Sequence, residues 1–291
     1  MRIVIVGASG LIGSALTEML EAEGHDIVPL GRKHFKRGIH EFKEFFREAD
    51  VLINLAGAPI LKRWTAAYKK KLKKSRIDPT EKIHTAFKLL KERPQLYIAA
   101  SAVGIYEPTE QIHTEKSESF DGSFIGQLLQ DWESSTLQFS SLQNVRVVIM
   151  RFGVVLAREG GAFPTMSRPF RWGVGGRIGN GKQAFSFIHL SDLVNAIRYF
   201  MNTNVGGVFN LSAPKPVSNK DFSKALGKAL HRPSFMIVPS FLLRLIYGEA
   251  SKILVNSPWV VPEKLLANNF SFEFPDIESA LKDLTKKKKR K

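Results

Sequence analysis

The 291-residue chain has no cysteine, which excludes disulfides, zinc thiolates, iron–sulfur clusters and a cysteine nucleophile. Its seven histidines form neither a His-Glu-x-x-His motif nor a His-x-x-x-His pair, so no metal site is expected. Long apolar runs are also missing. The first, Ile3–Val6, stops at Gly7, too soon for a signal-peptide core. Later apolar windows are cut by Arg244, Lys252, Asn256, Pro258 and Pro262, short of the roughly 18 residues that span a bilayer. A soluble, cytoplasmic protein with no membrane partner is the expectation.

Acidic residues are scarce beside basic ones, 27 against 43, for a net charge of +16. Part of the excess is the terminal run Lys286–Lys291, and part is the run from Lys62 through Lys69–Lys71, Lys73 and Lys74 to Arg76. The first reads as a solvated basic tail over 285–291, and the second as the solvated face of a helix. Neither comes with a nucleic-acid-binding motif or an aromatic-interleaved platform, so no nucleic acid is expected.

At 44% apolar and 24% charged residues, the composition is that of a globular protein. Short β-rich runs alternate with helical stretches, which specifies a parallel sheet covered on both faces. Strands are expected over 2–6, 26–30, 50–55, 96–101, 145–150 and 207–211. Helices are expected over 11–23, 66–74, 79–92, 123–138 and 191–202. After residue 213 the chain turns to proline-punctuated helical segments near 219–230 and 240–254. The expected fold is α/β, a Rossmann-like doubly wound sheet over 1–212, with a small C-terminal substrate module over 213–284.

The strongest local signal is Gly7-Ala8-Ser9-Gly10-Leu11-Ile12-Gly13, directly after the first strand and directly before a helix. Gly7 permits the tight turn, Gly10 lets the backbone approach a pyrophosphate, and Gly13 lets helix and strand pack closely. The pyrophosphate would sit on the amides at the positive end of the helix. Where an NAD-selective fold places an acid after the second strand, this chain has Gly31-Arg32-Lys33. Arg32 can pair a 2′-phosphate in bidentate fashion, so NADP(H) is the expected cofactor. Asn54-Leu55-Ala56-Gly57 closes the next strand with small residues, which allow close passage of the cofactor.

Further along stand Arg63-Trp64-Thr65, Ser75-Arg76-Ile77, Ser101-Ala102-Val103-Gly104-Ile105-Tyr106, Asp131-Trp132-Glu133, Arg151-Phe152-Gly153-Val154-Val155-Leu156 and Ile188-His189-Leu190-Ser191-Asp192. With the glycine loop and the ending Phe270–Pro275, these residues resemble the atypical extended short-chain dehydrogenase/reductases of the NAD(P)-dependent epimerase family. That group includes NADP-dependent oxidoreductases and sugar-nucleotide-epimerase-like proteins. The resemblance implies that Gly31, Arg32, Leu55, Ala56, Arg76 and Val155 line the cofactor site.

Typical members of the short-chain class use Tyr-x-x-x-Lys for proton transfer, because i,i+4 spacing sets the ammonium beside the phenol. Here the residues four places after the five tyrosines are Leu72, Ser101, Glu110, Thr203 and Ser251, so the pair does not exist. The remaining catalytic candidates are Ser101, at a strand end facing the expected nicotinamide, and Tyr106, five residues on. The segment 160–183, with seven glycines and Arg168, Arg171, Arg177 and Lys182, reads as a flexible substrate loop that favours an anionic small molecule. Two function classes stay open. One is an NADP(H)-dependent epimerase or oxidoreductase acting on a carbonyl or secondary alcohol, a nucleotide sugar among the candidates. The other is a redox-silent NADP(H)-binding sensor or scaffold. A homodimer is one assembly open to either.

Overall fold

The structure is a computed structural model that describes residues 1–286. From Lys287 on, the expected basic tail lies outside the described residues. Six parallel strands form the central sheet: β1 (Arg2–Val6), β2 (Asp26–Leu30), β3 (Val51–Asn54), β4 (Leu96–Ala102), β5 (Arg146–Phe152) and β6 (Gly207–Leu211). Their spatial order is β2-β1-β3-β4-β5-β6. The chain leaves β1 in one direction, to β2, and returns across it to β3. In open α/β sheets ligands bind at the carboxyl ends of the two strands flanking such a reversal.

Alternation along the strands builds a core on each side. Ile3 and Ile5 face one way, with Ile53, Ile98, Val148 and Met150, against α1 (Leu11–Ala22) and the helix Leu190–Asn202. Val4 and Val6 face the other way, with Leu52, Tyr97 and Ile149, against Phe42, Phe46, Ile83, Phe87 and Phe139. With both faces covered, β3 is buried along its whole length, as a parallel sheet requires. The six sheet strands agree with expectation within two residues at each end, and so do the helices α2 (Ala66–Lys74), α3 (Ile77–Lys88) except at its C-terminus, α4 (Phe124–Leu137), Leu190–Asn202 and Asn219–Leu230.

Two segments differ. The expected loop 160–183 contains the helix Ala162–Arg171, which buries Phe163, Ser167 and Phe170 on one side, and a strand Gly176–Ile178 that pairs with Met236–Val238. Apolar residues at i, i+3 and i+7, Phe163, Met166 and Phe170, outweigh the glycines around them. The expected helix 240–254 breaks after Ser240–Tyr247, where Gly248 takes φ +60°, and resumes as Lys252–Val255. The residues after 213 do not form a core of their own. Phe222, Leu226, Ile277 and Leu281 share one cluster with Leu156, Phe163, Phe185 and Phe187. Asp192 ties the last segment down by accepting from the backbone amides of Glu273 and Phe274 at 2.7 and 3.0 Å.

Candidate active site

A cleft of about 1000 Å³ opens at the β1/β3 reversal, lined by Gly7, Ser9, Gly10, Gly31, Arg32, Leu55, Ala56 and Gly57. Gly7 turns the chain with φ +85°. A Cβ on Gly13 would stand 2.3 Å from the Gly7 oxygen and 2.7 Å from the Ala8 Cα, so helix and loop touch as only glycine permits. No side chain caps α1 and no acid stands in its first turn, which leaves that helix end open to an anion. The residues therefore fit a dinucleotide pyrophosphate. Of the other expected cofactor residues, Ala8 and Ile12 pack on the core beside Val155. Leu11 lies under the Gly160-Gly161 turn.

Asn54, fully buried at the end of β3, sets the Leu55–Gly57 turn. Its Oδ1 accepts from the Ala56 amide at 3.1 Å, and its Nδ2 donates to the Tyr97 hydroxyl at 3.0 Å and to Thr80 Oγ1 at 3.3 Å. Burial pushes the Tyr97 phenol up to about 12, so it stays a neutral hydrogen-bonding partner. Arg76 backs the same turn. Its guanidinium donates to the oxygens of Ala58 and Leu72, lies 5.4 Å from the Trp132 ring, and would sit 3.1 Å from a Cβ on Gly57. Burial lowers its pKa to about 10, leaving it cationic at neutral pH. It has no carboxylate partner among the described residues.

The basic run is not one solvated face. Lys69 pairs with Glu249 at 2.5 Å and Lys73 with Asp131 at 2.8 Å, while Lys70, Lys71 and Lys74 line the cleft. Spacings of three and four residues put these three on one side of α2. That signal was legible but masked by the lysines between them. Lys82 and Asp78, i and i+4 on α3, complete this wall.

Ser101 and Tyr106 do not line the cleft. They belong to a buried chain of polar groups across β4, α4, β5 and β6. Ser101 Oγ donates to Glu133 Oε1 at 2.5 Å. Arg151 holds both Glu133 oxygens at 2.8 and 2.7 Å, and it donates to the Tyr106 hydroxyl at 2.7 Å. That hydroxyl in turn donates to Asn210 Oδ1 at 2.9 Å. All five residues are at most 6% exposed. Burial raises the Tyr106 pKa against the opposing pull of Arg151. Burial alone would lower the Arg151 pKa, but Glu133 and Tyr106 outweigh it and the net shift is upward.

The expectation of Tyr106 as an acid/base does not fit this geometry, since its proton is held by Asn210 and its ring is stacked on His113 at 5.0 Å. Ser101 has spent its proton on Glu133 and has only lone pairs to offer. The partners Glu133, Arg151 and Asn210 were not singled out in the sequence as site residues. Asp131-Trp132-Glu133 shows why adjacent residues in one motif serve different tasks. Successive helical side chains diverge by about 100°, toward Lys73, Arg76 and Ser101 respectively.

Comparison with known proteins identifies the family and the fold. Residues 3–212 match the model of the NAD dependent epimerase/dehydratase family, and residues 238–284 match a Domain of unknown function (DUF1731). The epimerase family protein SSP1921 of Staphylococcus saprophyticus is 36% identical, over 97% of this chain and 98% of the relative. Human epimerase family protein SDR39U1, crystallised with NADPH, superposes with a TM-score of 0.90 at 32% identity, covering 98% of this chain and 99% of that one. A nucleoside-diphosphate sugar epimerase from Corynebacterium glutamicum gives 0.77 at 29% identity, over 97% of this chain and 57% of that one. With its parallel sheet, glycine turn and cleft at the strand reversal, this chain belongs to the NAD dependent epimerase/dehydratase family.

Proposed function

We propose that the protein binds NADP(H) in preference to NAD(H) and acts on the carbonyl or secondary alcohol of a small anionic substrate. The cofactor preference rests on one observation: the cleft wall carries Arg32, Lys70, Lys71, Lys74 and Lys82 against a single acid, Asp78. An acid after β2 would accept from the ribose hydroxyls of NAD, whereas a cation there meets the 2′-phosphate. The human relative crystallised with NADPH supports the same reading.

When bound, the cofactor supplies hydride transfer. The chain's own residues position and polarise. The first-turn amides of α1 receive the pyrophosphate, Arg76 adds a fixed positive charge behind the Leu55–Gly57 turn, and Asn54 keeps that turn in register. Ser101, outside the cleft lining and with its proton committed to Glu133, holds the end of β4 to α4. The Corynebacterium relative is named for nucleoside-diphosphate sugars, which makes such sugars the first substrates to screen.

Fluorescence titration of NADPH and NADH into the protein and an Arg32→Ala variant tests this reading. NADPH should bind the native protein more tightly, and the variant should lose roughly ten- to a hundredfold of that affinity, the worth of one charge-assisted contact. Equal affinity for both dinucleotides in the native protein refutes the preference. A second reading, a redox-silent NADP(H)-binding sensor or scaffold, is favoured by the sequestered Tyr106 hydroxyl and the missing Tyr-x-x-x-Lys pair. Tight NADPH binding without turnover on a panel of carbonyls and nucleotide sugars, and without nicotinamide exchange with labelled water, would select it.

A further inference from the structure

Large apolar side chains are exposed mainly in one region. Of sixteen in the described structure, nine lie in residues 172–174 and 235–246. Trp172, Phe235, Phe241, Leu245 and Ile246 are each between 61% and 76% exposed. Pairing of Gly176–Ile178 with Met236–Val238 brings the two segments alongside each other. The helix Ser240–Tyr247 carries Phe-Leu-Leu-Arg-Leu-Ile-Tyr and buries none of its residues. A monomeric soluble protein rarely leaves such a patch open, and a patch with a charged rim marks a docking surface.

The segments that carry the patch are strongly basic. Residues 160–183 and 232–257 contain seven cations and a single acid, Glu249, which is already paired with Lys69. Next to the patch is a second cavity, about 410 Å³, between Ile178–Gln183 and the helical segments around Ser240 and Lys252. It presents Asn180, Gln183, Ser251 and Asn256 together with Arg244 and Lys252. Neither cation has an acidic partner among the described residues. A basic, amide-rich hollow flanked by exposed aromatic and aliphatic side chains has the two-part chemistry of a phospholipid.

We infer that this face docks on an anionic lipid bilayer. Phe241, Leu245, Ile246 and Trp172 enter the headgroup–acyl boundary, and a lipid phosphate sits against Arg244 and Lys252. This departs from the sequence expectation of no membrane partner. That expectation concerned spanning helices, and none of the described helices is long and apolar enough to cross a membrane; an interfacial helix needs no such length. Charge selects the bilayer over a second copy of the chain, because isologous pairing would set the same seven cations against each other on two chains of charge +16.

Co-sedimentation with vesicles of phosphatidylcholine alone, or with about a third phosphatidylglycerol, tests the inference; the latter should bind at least roughly tenfold better at moderate salt. Phe241→Ser/Leu245→Ser and Arg244→Gln/Lys252→Gln should each weaken that binding by roughly tenfold or more. Both pairs change exposed side chains, so their melting temperatures should match the native protein and separate lost docking from lost folding. A chain ending at Lys286 should retain binding. Three outcomes would overturn the inference: no sedimentation with anionic vesicles, loss of binding only on removal of the tail, or a concentration-dependent dimer that the Phe241/Leu245 variant abolishes.

Discussion

Replacing Glu133 with Gln isolates the buried polar chain. Glu133 and Arg151 are 6% and 5% exposed, and both Arg151 contacts to the carboxylate are at or under 2.8 Å. The substitution keeps the volume but leaves Arg151 with no counter-charge. Breaking a buried pair in this way costs about 3–5 kcal/mol, because the surviving ion has lost its compensation and not its desolvation. Chains of this size lose about 2–4 °C of melting temperature per kcal/mol. The expected drop by differential scanning fluorimetry is therefore roughly 6–20 °C. Converting both partners, Glu133→Leu with Arg151→Met, should recover part of it, since neither residue then leaves a buried charge, although Ser101 and Tyr106 each lose a partner. A coupling near zero between the two sites, or a Glu133→Gln protein that melts within about 2 °C of the native one, would refute the assignment of this network as the tie between β4, α4 and β5.

Gly13→Ala should impair the nucleotide site more than the fold. Its Cβ meets the Gly7 oxygen at 2.3 Å, so α1 must retreat from the loop, and NADPH affinity by titration should fall by roughly tenfold while circular dichroism keeps the native helix content. Arg76→Met should weaken both NADPH and NADH by a similar factor, because it removes positive charge common to both complexes; a loss confined to NADPH would place Arg76 at the 2′-phosphate instead. His189 should make stability pH-dependent. Its Nδ1 accepts from the Ser191 amide at 3.2 Å as the cap of the helix Leu190–Asn202, and burial lowers its pKa from the ordinary 6.5, opposed by Asp283. The unfolded chain then binds the extra proton first, so melting temperature should fall as pH drops through 6.5, and His189→Asn, which keeps an acceptor at the cap, should flatten part of that slope. His84, lowered by burial in the same sense, retains the remainder.

The sheet was legible because each of its strands carries a local signal that tertiary packing reinforces: aliphatic runs such as Ile3–Val6 and Val51–Ile53, ended by glycine or small polar residues. The glycine turn was legible for the same reason, since Gly7, Gly10 and Gly13 answer local backbone demands. Tyr106 was not legible. Its position five residues after Ser101 made it a candidate acid/base, but its hydroxyl is engaged by Arg151, 45 residues away, and Asn210, 104 residues away. Contacts at that separation leave no periodic trace in one sequence. The helix Ala162–Arg171 was hidden for the opposite reason: the glycines that flank it and Pro169 within it are strong local breakers, overridden by burial of Phe163 and Phe170 on the helices after residue 213.

The distribution of charge connects the two sites. The cleft wall, the apolar face and the terminal run Lys286–Lys291 together hold eighteen cations and two acids, Asp78 and Glu249. The rest of the chain carries twenty-five of each sign. The excess of +16 is therefore not a property of the surface at large. Ionic strength should then act differently at the two places. The cleft is partly enclosed, so raising salt from about 0.05 to 0.5 M should weaken NADPH modestly. The apolar face is open to solvent, so the same change should remove most of the preference for anionic vesicles and leave the apolar contribution of Phe241 and Leu245 intact. If salt abolished vesicle binding in full and equally for native and Phe241→Ser/Leu245→Ser proteins, the exposed helix would have no part in it, and the cations alone would account for the attraction.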